Sequence, residues 1–365
     1  MKNTLMAFAG SAALAAGPAF AQSSVTLFGI VDATLAHGSG SISSKTQLTT
    51  SGYNSSRLGF RGTEDLGGGM SASFWLEVGV GNDDGRGVPT NVNNQASGGA
   101  LAGLSGGQGL TFNRRSTVSL AGSWGEVRLG RDFTPQYGNL GTFDPFGNNG
   151  MGTSQTFNSI ITGVTAVRAS NSIAYFLPAN IGGFYGQAAY YMGENSSGAA
   201  TSDDGKGQGV RLGYLNGPLN VAFAVSKTSY ATATPGGSGF ASSGRVRQNN
   251  LGGRYDFGVA QLMAQYSNDR NGALTGSGYV VGGTAAVGAG QIRIAFSRYK
   301  NDAPTNPASK KWALGYVHNL SKRTALYGTY ARVANSGSAA QSLGGAVTAA
   351  GTSSSGYEFG IRHSF

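Results

Sequence analysis

The sequence contains no cysteine, which excludes a disulfide framework and metal sites built on thiolates. Charged residues are also scarce, at 12% of the chain. After residue 21, no window approaches the roughly 18–20 consecutive apolar residues that a transmembrane helix requires. A transmembrane β-barrel stays possible, because its strands alternate lipid-facing and lumen-facing residues and escape a hydropathy scan.

The N-terminus has the three parts of a secretory signal peptide. Lys2 supplies a positive charge, Leu5–Ala16 is an apolar stretch, and Ala19-Phe20-Ala21 forms a small-x-small cleavage site. We therefore predict that residues 1–21 direct export and are removed. No linker or change of composition divides residues 22–365, which we predict to form one transmembrane β-barrel domain.

Glycine and aromatic residues are abundant, in contrast to charge. The chain has 62 glycines, 16 tyrosines and 18 phenylalanines among 365 residues. Each glycine would destabilise a helix by about 1 kcal/mol relative to alanine, whereas curved, closed sheets tolerate glycine. The formal charge is +10 and the isoelectric point is about 9.8. In an exported chain, this positive balance suits a lipid surface or a path for anions.

Most of the chain after the signal peptide consists of segments with strict alternation. In Leu219–Ser226, large apolar residues alternate with asparagine, alanine and serine. A period of two over many segments indicates strands with two different faces. Lipid outside and water inside a barrel would produce this pattern. It recurs in Arg57–Thr63, Ser71–Val80, Gln291–Ser297, Lys311–His318, Leu326–Tyr330 and Tyr357–Phe365.

The connections between these segments alternate in length. Short turns occur at Leu66–Gly69, Ser123–Gly125, Asn216–Pro218, Phe257–Gly258 and Asn319–Lys322. Long stretches rich in glycine, serine and asparagine lie between them, at Gly38–Ser56, Asn82–Leu110, Gly193–Gly207, Ala231–Gly244 and Asn335–Gly356. Short turns on one side and long loops on the other are typical of outer-membrane barrels. We therefore predict an all-β fold, an antiparallel transmembrane β-barrel of about 16 strands.

Several motifs spread over the whole exported chain point to one family. They are SSVTLFGIVDA (Ser23–Ala33), SRLGFRGTEDLGGGM (Ser56–Met70), FNRRSTVSLAGSWGEVRLGRD (Phe112–Asp132), GYVHNLSKRTALYG (Gly315–Gly328) and the terminal GIRHSF. With them the chain resembles the general porins of β-proteobacteria, and most closely the anion-selective porins of the comamonad branch. The resemblance implies a 16-stranded barrel that assembles as a homotrimer, with the third long loop folded inward to narrow each pore.

The resemblance also implies where the pore is narrowest. The loop expected to fold inward is Phe133–Val167, which lies between two predicted strands. Within Gln136–Val167 the only charged residue is Asp144, whereas the family often has more charge there. The arginine ladder of the family and its acidic partners fall on Arg57, Arg114, Arg168, Glu77 and Asp144.

Strand parity supports part of this assignment without the resemblance. Arg57 and Arg61 lie on the face opposite to the apolar residues of their segment. A lipid-facing arginine would cost roughly 2–4 kcal/mol at the bilayer centre. We therefore expect both side chains to line the pore, together with Arg128.

For two positions of the ladder, parity leaves alternatives open. Strict alternation would put Arg114 and Arg115 on opposite faces, with one of them near the rim. Arg168 precedes its predicted strand, so a solvated position in a surface loop is the alternative to a place in the pore.

A pore lined with fixed positive charge raises the local concentration of anions. We therefore predict an outer-membrane pore for passive diffusion of small hydrophilic solutes and ions, with a preference for anions. The expected partners are these solutes, outer-membrane lipid and lipopolysaccharide, and further copies of the chain in a homotrimer. We expect no cofactor, no metal and no nucleic acid. A substrate-specific channel and a non-conducting adhesive or structural barrel are the alternatives.

Catalysis has little support in the sequence. Gly103–Gly107 matches the G-x-S-x-G pattern, but it lies in a glycine-rich stretch without the strand–turn–helix context of that motif. The three histidines, His37, His318 and His363, show no spacing to a carboxylate or serine that would make a catalytic group. We therefore predict that the chain is not an enzyme.

Overall fold

The computed structural model describes residues 24–90, 94–95, 109–160, 163–234 and 242–365. The predicted signal peptide, residues 1–21, and the motif match at Gly103–Gly107 lie outside the described residues. Within the described ranges, no helix is long and apolar enough to cross a membrane. The strands are β1 (Ser24–Ser39), β2 (Lys45–Thr50), β3 (Arg57–Gly67), β4 (Met70–Gly79), β5 (Arg115–Gly122), β6 (Gly125–Phe133), β7 (Arg168–Phe176), β8 (Phe184–Tyr191), β9 (Gly207–Asn216), β10 (Leu219–Thr234), β11 (Ser242–Asp256), β12 (Ala260–Asn271), β13 (Leu274–Val287), β14 (Gly290–Asn301), β15 (Ala308–Asn319), β16 (Thr324–Ser336) and β17 (Ser353–Ser364).

The strands point large apolar side chains outward and small or polar side chains inward. On β10, Val221, Phe223 and Val225 are 37%, 43% and 42% exposed, whereas Ala222 and Ala224 are buried. The same contrast recurs on strands around the whole barrel. A soluble sheet would cover such residues against a second layer, so their exposure identifies the outer surface as lipid-facing.

The first strand closes the barrel. One edge of β1 pairs antiparallel with β17, from Ile30 opposite Ser364 to Ser39 opposite Ser355. Its other edge pairs with β3 in its first half and with β2 in its second half. β2 and β3 are therefore two parts of one barrel strand. The 17 segments form 16 strands, which confirms the predicted antiparallel transmembrane barrel.

A side chain of β1 explains the break between β2 and β3. One carboxylate oxygen of Asp32 accepts hydrogen bonds from the backbone amides of Tyr53 and Asn54, at 2.9 and 2.6 Å. These amides are satisfied by the side chain and need no partner in the sheet. Ser51 has a φ of +71°, which turns the chain out of the extended conformation just after β2.

The predicted alternation of short turns and long loops was wrong in three places. Gly38–Ser56 contains the end of β1 and all of β2, and Ala231–Gly244 contains the end of β10 and the start of β11. Strands pair through main-chain groups, so a composition of glycine and serine does not by itself end a strand. The connection from β12 to β13 is also short, because only Gly272 and Ala273 lie between the paired residues Asn271 and Leu274, and the positive φ of Gly272 suits such a tight hairpin turn.

The described part of Phe133–Val167 folds into the barrel, as predicted. It begins with the helix α1 (Pro135–Thr142), which contacts β9, β10 and β11. Pro135 suits the first turn because its fixed φ matches the helix and its missing amide would have no partner there. Just after α1, the buried ring of Phe143 lies against Gly252 of β11, where an added Cβ would come within 2.2 Å of the ring.

The inward segment gives the lumen a packed core. Phe146 and Met151 pack against inward-facing alanines and valines of the wall, together with Leu343 of the last long loop. Further along, Ile160 packs with Tyr230 and other buried side chains. The segment is therefore held as part of the folded barrel rather than as a loop lying in water.

Candidate pore constriction

A cavity of about 690 Å³ lies inside the barrel, between the inward segment and the wall formed by β1 and β3–β6. The wall side carries charge, and the segment side does not. The charged residues at this cavity are Arg57, Arg61, Arg114, Arg115, Glu77 and Asp132. The inward segment contributes Tyr137, Gly138, Gly141, Thr142, Gly147 and Asn149.

Glu77 of β4 holds two of the predicted arginines. Its carboxylate accepts a hydrogen bond from Arg114 Nε at 2.5 Å and lies 3.9 Å from Arg57 Nε. The other carboxylate oxygen accepts from the indole of Trp75 at 3.1 Å. The side chain of Arg57 is 28% exposed and that of Arg114 only 11%, so Arg57 is the more open to a solute in the cavity.

Arg168 joins the same group from the next part of the wall. It opens β7, and its Nε donates to the main-chain carbonyl of Arg114 at 2.8 Å. Its guanidinium also lies 4.3 Å from the centre of the Phe133 ring, within the range of a cation–π contact. The structure therefore brings Arg57, Arg114 and Arg168 together, and Arg168 is not in a solvated surface loop.

Arg115 lies at the same cavity as Arg114, contrary to the prediction from strict alternation. Strict alternation would place it opposite to Arg114, but both side chains line the same cavity. The reason is that β5 begins only at Arg115, so the alternation does not extend back to Arg114. Arg115 lies 3.5 Å from the carboxylate of Asp132 and 4.6 Å from the Trp75 ring centre.

The two further arginines predicted to line the pore lie beside these groups. Arg61 is within 5.2 Å of the ring of Phe28 and 5.1 Å of that of Trp75. Arg128 pairs with Glu126 at 2.9 Å and with Asp132 at 2.6 Å. Aromatic rings and carboxylates thus fix both guanidinium groups in place.

Asp144 lies in the inward segment and serves its local structure. The carboxylate is buried and accepts hydrogen bonds from the amides of Phe146 and Ser154, at 2.7 and 2.9 Å. Burial raises the pKa of the Asp144 carboxyl, and these two amides oppose the shift. None of the contacts described for Asp144 reaches the arginines at the cavity. Its assignment as a residue of the constriction stays a prediction.

Three more arginines point into the lumen and escaped the assignment from the sequence. Arg293 and Arg362 lie 4.4 and 5.8 Å from the ring centre of Tyr53. Arg211 donates to Asn139 of α1 at 2.9 Å. Each lies on the polar face of an alternating strand, so parity alone could have found them.

Comparison with known proteins agrees with this geometry. A model of the Gram-negative porin family matches residues 7–338. The chain is 38% identical to outer membrane porin protein 32 of Delftia acidovorans, over the full length of both. It is 30% identical to an outer membrane porin protein of Bordetella pertussis, over 91% of this chain and 94% of the other. The solved anion-selective porin from Comamonas acidovorans superposes with a TM-score of 0.78 at 36% identity, covering 94% of this chain and 100% of that one. The chain therefore belongs to the Gram-negative porin family, whose members are outer-membrane channels and not enzymes.

Proposed function

We propose that this porin lets small hydrophilic solutes and ions diffuse passively across the outer membrane, and that its constriction prefers anions. The observation that carries the proposal is the asymmetry of the cavity. Its wall presents four arginines against two carboxylates, and its other side presents only uncharged residues of the inward segment. The solved Comamonas relative is named for anion selectivity, which supports the same preference here.

Arginine suits this task for physical reasons. A guanidinium stays charged at any working pH and has five N–H donors, so it can hold one carboxylate and still offer donors to a passing anion. Arg57 is the best placed, because its contact with Glu77 is long and its side chain is the more exposed of the pair. Arg114 and Arg168 extend the positive wall behind it. Several neighbouring donor sets keep each binding step weak enough for exit.

The inward segment sets the size limit in this proposal. It fills the opposite side of the lumen and is anchored to the wall along its length, through Asn139, Met151, Gln155 and Ile160. The buried Asp144 stabilises the turn that carries Phe146. We assign Arg61 and Arg128 to the edge of the pore, where they add positive charge but are held by aromatic and acidic neighbours.

A channel specific for one class of anion is the second candidate. The observation in its favour is the pair of arginines beside Tyr53, Arg293 and Arg362, which extends the positive lining beyond the cavity. A general pore would conduct in proportion to salt, whereas a specific channel would saturate with its own solute. The asymmetry of the cavity suits both candidates. Only the two arginines beside Tyr53 favour a specific channel, so we place the general anion-preferring pore first.

The remaining assignments follow from the family resemblance. We propose that residues 1–21 are removed on export, that residues 22–365 form the finished barrel, and that three copies assemble. The apolar outer surface is the part of the barrel that contacts lipid.

Single-channel recording in a planar bilayer tests the pore and its selectivity together. We expect discrete conductance steps, in groups of three for a trimer, and an anion-selective reversal potential under a KCl gradient. The potential should fall as salt rises from 0.1 to 1 M, because the Debye length shortens from about 10 to about 3 Å. Cation selectivity would contradict the charge argument, and a folded barrel without conductance would favour the adhesive or structural alternative.

Replacing Glu77 by glutamine should increase the anion preference while weakening the fold. A neutral amide at this position could no longer offset the charges of Arg57 and Arg114, so the reversal potential should rise. Losing one partner of a largely buried pair should also lower stability, by roughly 1–3 kcal/mol. Reversal potentials and denaturation midpoints would measure both effects. The matched control is Glu64→Gln on β3, because Glu64 is exposed and has no ion pair among the described residues. Equal effects of Glu77→Gln and Glu64→Gln would contradict the assignment of Glu77 to the constriction.

A further inference from the structure

A second cavity of the lumen, of about 370 Å³, lies across the inward segment from the arginines. The segment passes between the two cavities, because Asn149 lines the one at the arginines, whereas Gly150 and Met151 line the second. The volume falls within the range of about 300–1,000 Å³ that is typical of small-molecule sites. We call this second space the outer cavity and the space at the arginines the constriction cavity.

The outer cavity lies towards the long loops. Leu343 and Gly344, in the long loop between β16 and β17, are part of its lining. The constriction cavity is instead lined by Ser364 and Phe365, at the opposite end of β17. Long loops face the outside and short turns face the periplasm in such barrels. A solute that enters from outside therefore meets the outer cavity before it meets the arginines.

The charge of the outer cavity is balanced. Among the described residues that line it, Lys311 of β15 and Glu358 of β17 are the only charged ones. Both are buried, and both hold Met151 of the inward segment. Lys311 Nζ donates to the carbonyl of Met151 at 3.0 Å, and the amide of Met151 donates to Glu358 Oε1 at 3.0 Å. The outer cavity therefore lacks the excess positive charge that favours anions at the constriction cavity.

Neutral polar groups of β2 face the outer cavity. Gln47 and Thr49 point inward and are half-buried, whereas Leu48 between them is exposed on the outer surface. The Gln47 amide donates to the carbonyl of Gly344 at 3.4 Å, and its oxygen accepts no hydrogen bond within the described part of the chain. The Thr49 hydroxyl has no hydrogen-bond partner there either. Hydroxyl and amide groups together both donate and accept, which matches a solute that carries several hydroxyl groups.

An aromatic side chain of the inward segment also faces the outer cavity. The ring of Phe157 is half-buried, and it lies 5.8 Å, edge to face, from the ring of Tyr137. Tyr137 is stacked in turn on Phe133 at 4.9 Å, and both of these residues line the constriction cavity. The three rings therefore form an aromatic row that leads from the outer cavity to the constriction cavity. The face of an aromatic ring is electronegative, so it attracts the C–H groups on the face of a sugar ring.

We propose that the outer cavity binds a neutral carbohydrate of one or two rings. Phe157 packs against the apolar face of a sugar ring, Gln47 and Thr49 form hydrogen bonds with its hydroxyl groups, and the aromatic row leads it to the constriction. An anion would find no net positive charge here, and an apolar solute would leave the hydroxyl and amide groups without partners. The proposal needs the lumen to admit solutes, as in the proposed function, but it does not need the anion preference.

Isothermal titration calorimetry of the purified porin with cellobiose tests the proposal without conductance. Cellobiose is neutral, and its equatorial hydroxyl groups leave apolar C–H faces on both rings. The detergent should be a polyoxyethylene ether, because a sugar headgroup would compete for the site. We expect saturable binding of cellobiose and about tenfold weaker binding of sorbitol, a linear polyol without a ring face. Equal binding of the two solutes would overturn the proposal.

Variants of the outer cavity test the roles of the ring and the hydroxyl. Phe157→Ala should weaken cellobiose binding about tenfold, and Phe157→Tyr, which keeps the ring, should not. Thr49→Val keeps the shape of the side chain and should weaken binding about threefold, because one hydrogen bond is lost. The matched control is Phe223→Ala, which removes the same group from the lipid-facing surface. Unchanged binding in a Phe157→Ala barrel with natural heat-modifiable migration would overturn the proposal.

Planar-bilayer recording separates this site from the anion preference of the pore. Cellobiose on the outer side should interrupt the ion current of the natural protein, with a saturating dependence on concentration that Phe157→Ala shifts about tenfold higher. A pore without anion preference that still binds cellobiose would contradict the proposed selectivity and support this site. An anion-selective pore that binds no cellobiose would overturn this site and leave the proposed function in place.

Discussion

Replacing Arg57 and Arg114 together by alanine should remove the anion preference of the pore. A unit charge at about 6 Å from a passing ion contributes about 0.7 kcal/mol even in water-like surroundings. Each charge favours the anion and disfavours the cation by this amount, so loss of two such charges lowers the ratio of anion to cation permeability by about a hundredfold. The change should be larger still, because Glu77 would lose both cationic partners and attract cations itself.

The reversal potential under a tenfold KCl gradient measures this effect directly. An ideally selective pore would give about 59 mV, and the double variant Arg57→Ala/Arg114→Ala should move the potential through zero towards cation preference. The control Arg57→Lys/Arg114→Lys keeps both charges and should keep the sign of the potential. If the alanine variant kept the natural potential in a correctly folded barrel, the selectivity would have to reside elsewhere in the lumen.

The architecture of the barrel was predictable because the alternation of residues along each strand decides which side chains face lipid and which face the lumen. Phe223 and Ala224 face lipid and lumen as their alternation requires, and a one-residue shift would reverse every such pair. The parity of Arg57 within its strand is likewise sufficient to predict that it faces the lumen, without knowledge of Glu77. The break between β2 and β3 was not predictable, because it depends on Asp32, about twenty residues earlier in the chain, reaching the amides of Tyr53 and Asn54.

The constriction was only partly predictable for a similar reason. The sequence shows that Arg114 and Arg115 are adjacent, but not that β5 begins between them, and this boundary decides whether both line the cavity. It also shows that Asp144 is the lone charge of the inward segment. Whether that carboxylate faces the pore or binds amides of its own turn depends on how the segment folds, which alternation does not describe.

Replacing Asn139 by alanine should release α1 from the barrel wall and widen the pore. The buried side chain of Asn139 donates to the carbonyl of Ala222 at 3.1 Å and to the Asn250 side chain at 2.7 Å, and it accepts from Arg211 Nε at 2.9 Å. Without it, Arg211 and Asn250 each lose a buried partner, at a cost of roughly 1–3 kcal/mol per group. A cost of about 3 kcal/mol lowers the ratio of docked to released segment by about a hundredfold.

Release of the inward segment should give larger and noisier single-channel currents. It should also make sugars enter faster into liposomes that carry the variant porin in their membrane. The matched control is Asn158→Ala in the same segment, because the half-buried Asn158 side chain makes no hydrogen bond within the described part of the chain. The two variants lose the same group, so a difference between them isolates the anchoring bonds from the loss of one amide. Equal conductance and noise in both would mean that Phe143, packed against Gly252, and the bonds further along the segment hold α1 without Asn139. The size limit of the pore would then rest on packing rather than on this polar cluster.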